Sequence, residues 1–289
     1  MMSSTHYGGA EHPLGLHSDF PPILYKYRSW NQEEHRQILK SNMIFFASPA
    51  DFNDPFDCKI PWEYEHAPKG KMNKFLKQYR RDQNPDMPSH EINRRVARFL
   101  IQNKHKDPEI LDRVRKLQID RIASVVGVFS LTASPDNLVM WSHYGDAHKG
   151  FCVGFDTEKF LTLSKVEYPF GVLKTYLTRV TYVDEYPYVD PFDADKRRKV
   201  LTTLTFKSSH WSYENEYRFI VFEQTNTLVP LPDDFIVEVR LGCRMGEDGS
   251  TDHKSQIIHQ LKSKRTRVRL LQAVRKEKEF GLDFVEEKY

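Results

Sequence analysis

The chain has 289 residues, 39% of them apolar and 29% charged, which is ordinary for a globular protein and long enough to bury a sizeable core. Its 43 basic and 40 acidic residues leave a net charge of +3, so overall electrostatics do not predict nucleic-acid binding, and any such role needs a local patch. Three widely spaced cysteines, Cys58, Cys152 and Cys243, argue against a disulfide framework or a cysteine metal cluster, and no apolar run reaches the length of a membrane span.

Residues 1–20 lack the basic-then-apolar layout of a signal peptide and read as a flexible leader, which with the cysteine usage places the protein in the cytoplasm. Residues 21–289 are expected to form a single α+β domain. Pro21-Pro22 introduces Ile23–Arg28, whose alternation suits a first strand. Asn31 can cap a helix over 32–41, and Met43–Ala47 reads as a buried strand. The turn-rich loop Ser48–Asp57 follows, where Asx side chains and proline favour a sharp bend.

From about 70 to 124 helical spacing and basic residues take over, as in Phe75, Leu76 and Tyr79 and again Ile92, Val96 and Phe99. This segment is predicted to be a helical insertion whose arginines and lysines either face a phosphate backbone or form a solvated surface. Strands are expected at 124–132, 150–155, 172–183, 217–222, 235–241 and 268–271, with helices near 137–144, 194–210 and 252–264. Strands from all three thirds of the chain imply one mixed or split central sheet.

Chemistry concentrates in Trp211–Arg218, where Glu214 and Glu216 stand two residues apart. On a strand those positions share a face, so both carboxylates can look into one cleft, at a cost that favours a binding or catalytic use. Tyr25, Tyr27 and Arg28 on the first strand and Ser130 and Thr132 on the middle one are the groups expected to converge with them. An arginine and aromatic rings can hold a pyrophosphate and stack a base. Hydroxyls brace the pocket, and a carboxylate can stabilise an oxocarbenium-like centre. Alternatively, Arg28 and Arg218 pair with the glutamates and with Asp54 or Asp57 and simply staple strands together.

Two further groups are candidates for the pocket. Asn53, Asp54 and Asp57 lie in the loop Phe52–Asp57, beside the rings of Phe52 and Phe56, where they either bind a ligand or form an aromatic-anchored turn. Trp141, His143 and Tyr144 begin a second cluster that continues through Asp146 and His148. The five-residue gap between its histidines does not place them on one helical face, so no metal is expected.

Taken in order, Leu24–Arg28, Phe52–Asp57, Met140–Tyr144 with His148–Gly150 and Phe155-Asp156, and then Lys207, Trp211, Glu214, Glu216 and Arg218, the chain resembles the uncharacterised bacterial family DUF2971. That family name carries no activity. The order of arginine, Ser-x-Thr and Glu-x-Glu is also similar to the Arg-Ser-Glu class of ADP-ribosyltransferases, and its start resembles toxins that ADP-ribosylate DNA. The middle motif is Ser-Leu-Thr instead of Ser-Thr-Ser, and the helical insertion is foreign to the minimal fold.

This second resemblance implies an ADP-ribosyltransferase-like fold and an enzyme acting on NAD and a macromolecular acceptor, nucleic acid or protein, as a toxin or anti-phage effector under a regulatory partner. Glu216 is then the catalytic carboxylate and Glu214 activates the acceptor. Tyr25, Tyr27, Arg28, Ser130 and Thr132 hold NAD. The rival readings are a metal-dependent hydrolase or nuclease using Asp54, Asp57, His143, His148 and the glutamates, and a non-catalytic ligand-sensing or interaction protein.

Overall fold

The computed structural model describes residues 20–163, 167–168, 171–172, 174–247 and 251–289. All of the expected leader except Phe20 lies outside them. In chain order the elements are β1 (Ile23–Arg28), α1 (Glu33–Lys40), β2 (Met43–Phe46), α2 (Lys69–Gln83), α3 (Ser89–Ile101), α4 (Pro108–Val125), β3 (Val126–Thr132) and α5 (Leu138–His143). They continue with β4 (Phe151–Asp156), α6 (Thr157–Thr162), β5 (Glu167–Tyr168), β6 (Gly171–Val172), β7 (Thr175–Arg179), β8 (Thr181–Val183) and α7 (Lys196–Thr205). The last are β9 (Phe206–Ser208), β10 (Glu216–Phe222), β11 (Thr227–Pro230), β12 (Ile236–Leu241), α8 (Thr251–Lys262), β13 (Arg269–Arg275) and β14 (Leu282–Glu286).

Short polar side chains start the helices where the sequence offers them. Asp107, Asn137, Asp156 and Asp195 each accept backbone N–H bonds at the first turn of α4, α5, α6 and α7, satisfying donors that a helix leaves open. Several expected boundaries move. Helix α4 runs through Val125, so β3 starts two residues later than alternation implied, and α7 stops at Thr205 because Phe206–Ser208 pairs in parallel with β8. The stretch 172–183 is not one strand: β7 and β8 pair with different partners, β10 and β9. At the other end β13 continues to Arg275, where β14 supplies a partner.

Eight strands form the central sheet in the order β14-β13-β12-β4-β1-β3-β10-β7, mixed because only β12 and β13 run parallel. The fold class is α+β with a mixed sheet, as expected. Alternation along β10 sends Tyr217, Phe219 and Val221 into the main core with Phe129, Phe155 and Phe160, while Ile220 packs with Leu201, Leu204 and Ile122 on the opposite face. The insertion folds as α2, α3 and α4, anchored through Met72 and Leu111 beside Tyr64.

The shortest pairing in this sheet joins β1 to β3. β1 pairs with β4 along six positions but meets β3 only at Tyr25↔Thr132, so the two strands part beyond that point. The Ser130 carbonyl, which β1 no longer reaches, instead accepts a hydrogen bond from Lys26 Nζ at 2.6 Å.

Candidate active site

A cavity of about 320 Å³ opens at the split between β1 and β3. Its wall includes Tyr25, Tyr27 and Arg28 from β1, Ser130 and Thr132 from β3, Glu216 from the start of β10 and Glu214 from the turn before it, with Asn53, Asp57 and Tyr144 contributed by loops. Chain segments nearly two hundred residues apart therefore share one hollow.

The two glutamates converge, but not by strand parity. Only Glu216 belongs to β10; Glu214 ends a 3-10 turn over Ser209–Glu214, and Asn215 between them is left-handed at φ 43°. Asparagine tolerates that conformation, and Thr132 holds the turn by donating its hydroxyl to the Glu214 carbonyl at 2.6 Å. What brings the carboxylates together is Lys207, whose ammonium contacts Glu214 at 2.5 Å, Glu216 at 3.1 Å and Asp57 at 3.5 Å.

Behind them lies Arg218, fully buried and outside the cavity wall. It grips both oxygens of Glu216 at 2.9 and 3.0 Å and Asp57 at 2.6 Å, and donates to the Leu204 carbonyl at 2.5 Å. The stapling alternative thus holds for Arg218 with Glu216 and Asp57. Arg28 does not take part: no carboxylate or hydrogen-bond acceptor meets its side chain among the described residues.

The electrostatics separate the two acids. Burial alone would raise Glu216, but Arg218 and then Lys207 outweigh it, with Ser130 donating a hydrogen bond, and hold the carboxyl well below the usual range. Glu214 goes the other way, pushed up by burial and by the Glu216 charge against the pull of Lys207. Tyr144 donates its hydroxyl to the remaining Glu214 oxygen at 2.7 Å, and burial first and Glu214 next keep that phenol protonated. Burial lowers Lys207, yet the three carboxylates overcome it and keep the ammonium charged. Burial also brings Arg28 down to about 10 and, with Arg28 beside it, lowers Lys26.

Four expected pocket residues sit elsewhere than on the wall. Arg218 is the support just described. Asp54 turns back to cap its own loop by accepting from the Phe56 N–H at 2.9 Å. Trp141 is fully buried in the core, edge-on to Tyr27 and bonded to the Pro135 carbonyl, because its large ring gains more from burial than from a wet wall. His143 is exposed, lies 3.3 Å from the Tyr213 hydroxyl and meets the rings of Tyr144 and Tyr213 edge-on. Among the described residues, the group with metal-like ligand spacing is Glu63, Glu65 and His66, remote in sequence from the expected histidines and already paired internally and with Arg115.

The hydroxyls of the two tyrosines are also committed. Tyr27 donates to the Ser134 carbonyl at 2.6 Å, and Tyr25 accepts from Arg240 at 3.1 Å, so both offer the cavity ring surface more than polar tips. Lys26 and Asp51 are wall residues that carry no pocket role in the sequence pattern, and Lys207 and Phe52 stand in the family motifs but are likewise not assigned to the pocket there. Lys26 has opposite strand parity to Tyr25 and Tyr27 and reaches the cavity only because the strands part. Lys207 stands in the family motif ahead of the acids, but its place in that order carries no sign of its contact with both carboxylates.

The backbone of Arg28 is held by the loop between α5 and β4. Asp146, Ala147 and His148 are all left-handed, at φ 54°, 49° and 69°, a costly run for non-glycine residues. Asp146 accepts 2.8 Å bonds from Ser29 and Asn31, and the His148 ring stacks on Trp141. This clamp brings Gly150 so near the Arg28 carbonyl that a Cβ there would lie 2.2 Å from it.

No curated protein and no solved structure matches the chain. Residues 140–219, which run from α5 to the middle of β10 and carry Tyr144, Lys207, Glu214, Glu216 and Arg218, match the model of the family described as Protein of unknown function (DUF2971).

Proposed function

We propose that the cavity is the nucleotide site of an ADP-ribosyltransferase-like enzyme that takes NAD and transfers ADP-ribose to a macromolecular acceptor. The observation that carries this reading is the meeting of Arg28, Ser130 and Glu216 in one hollow, with Arg28 free of any carboxylate partner among the described residues. A guanidinium brought into a partly buried site without a counter-ion is suited to an anionic ligand, here the pyrophosphate. Glu216, held ionised by Arg218 and Lys207, supplies negative charge for the ribosyl cation as its bond to the nicotinamide nitrogen breaks and neutral nicotinamide leaves. The acceptor nucleophile bonds to the same ribosyl carbon and gives its proton to Glu214. The opposed shifts of the two acids suit that division between charge stabilisation and proton transfer.

The test is nicotinamide release from NAD, with and without lysate fractions as the acceptor source. Glu216→Gln is expected to abolish release while circular dichroism and melting report a folded protein. Glu214→Gln is expected to keep NAD binding and lose transfer. If no fraction supports release by the wild type, the enzyme reading fails.

A second reading, ligand sensing without turnover, is favoured by the engagement of all four glutamate oxygens by Lys207, Arg218 and Tyr144. It is separated from the first by NAD binding without nicotinamide release. The metal-hydrolase reading has the least support: three of the four cavity carboxylates, Asp57, Glu214 and Glu216, already contact Lys207 or Arg218, and His143 and His148 are not on its wall.

A further inference from the structure

Residues 69–125 hold fifteen basic and seven acidic residues, a net +8 that leaves the rest of the chain at −5 although the whole is only +3. The excess is densest on α2, where Lys69, Lys71, Lys74, Lys77, Arg80 and Arg81 face a single acid, Asp82. Lys71 pairs with Asp190 at 3.3 Å; the other five cations have no carboxylate partner among the described residues. Folding does not call for this arrangement. Arg80 and Arg81 suit the negative end of the helix, but the lysines of its first half oppose the positive end, and no acid stands in its first turn.

Aromatic surface is interleaved with the charge. Phe75 and Tyr79, one turn apart, are 38% and 47% exposed and stack on each other with ring centroids 6.3 Å apart at 23°. Phe75 is anchored from beneath by Phe192 and Tyr64, so the pair is a fixed platform. Helical spacing places Lys71, Lys74, Phe75, Gln78 and Tyr79 on one exposed face. Ammonium groups that neutralise phosphates beside flat rings that accept bases are the two parts from which single-strand binding surfaces are built.

We infer that α2 is a docking surface for single-stranded nucleic acid. In the proposed function this strand is the acceptor, but binding requires neither NAD nor turnover and is tested apart from them. Fluorescence anisotropy of a labelled twelve-nucleotide oligonucleotide with the full chain, titrated across KCl concentration, is expected to show affinity falling linearly on a log–log plot. Lys74→Glu with Arg81→Glu, both exposed and both keeping helix propensity, is expected to weaken binding about tenfold or more and to flatten the salt slope by about 0.7 for each phosphate no longer neutralised. Tyr79→Ala is expected to weaken binding while leaving that slope unchanged. Lys278→Glu, a reversal on the exposed β13–β14 turn, controls for overall charge and is expected to have little effect.

Equal losses from Lys278→Glu and the α2 reversals would overturn the inference, as would tighter binding to polyglutamate or to anionic lipid vesicles than to the oligonucleotide. Duplex preferred over single strand, with Tyr79→Ala silent, would overturn the stacking role.

Discussion

Arg218→Met removes a wholly enclosed guanidinium, keeping an unbranched apolar chain in its place. Three hydrogen bonds to Glu216 and Asp57 between 2.6 and 3.0 Å and one to the Leu204 carbonyl disappear together. Lys207, 3.1 Å from Glu216 and 3.5 Å from Asp57, is then the remaining cation for three buried carboxylates. Breaking a buried pair from one side costs about 3–5 kcal/mol, because the orphaned charge stays desolvated, and that is a large part of the about 5–15 kcal/mol that holds a domain together. Urea unfolding at pH 7, followed by tryptophan fluorescence, should show the midpoint fall with an unchanged slope. The double variant Arg218→Met with Glu216→Gln should lose less than the sum of the single losses, since the acid left without its guanidinium is then neutral. A loss under about 1 kcal/mol, the worth of an exposed ion pair, or strict additivity in the double variant, would refute the argument that this cluster is an interdependent buried network.

Gly150→Ala should destabilise by about 1–3 kcal/mol and weaken ligand binding through Arg28, because its Cβ would lie 2.2 Å from the Arg28 carbonyl. Gly70→Ala in α2, with nothing within 4 Å of the added carbon, should instead be neutral or stabilising by up to about 1 kcal/mol; matching effects at the two sites would count against the clamp. His35 is lowered from 6.5 to about 4 by burial first and then by Arg28 and Lys26, and its Nδ1 accepts from the Ser29 N–H. A base shifted this way takes up its proton on unfolding, so its contribution to stability is complete above pH 6.5 and is lost as pH falls towards 4. The stability gap between wild type and His35→Asn should therefore narrow over that interval, and a gap constant with pH would contradict the shift.

Local pattern was enough for most of the elements. Alternation marked Ile23–Arg28 and the run ending in Phe222, and helical spacing marked the insertion, because periodicity is a short-range property that a chain carries in its own order; the cap expected at Asn31 does not form, since its amide turns to Asp146 and α1 starts without a side-chain cap. The same reasoning named ten of the cavity's wall residues, from Tyr25 to Glu216, since polar groups on buried strands are costly unless used.

Beyond the reach of pattern were the parting of β1 from β3 after Tyr25↔Thr132 and the left-handed Asn215 that turns Glu214 towards Lys207. The burial of Arg218 and Trp141, and the choice of Arg28 as the arginine without a carboxylate partner among the described residues, were equally out of reach. Each of these depends on which distant groups compete for the same space or the same counter-ion. Desolvation and pairing are settled by three-dimensional neighbours, and no spacing along a single chain records who those neighbours are.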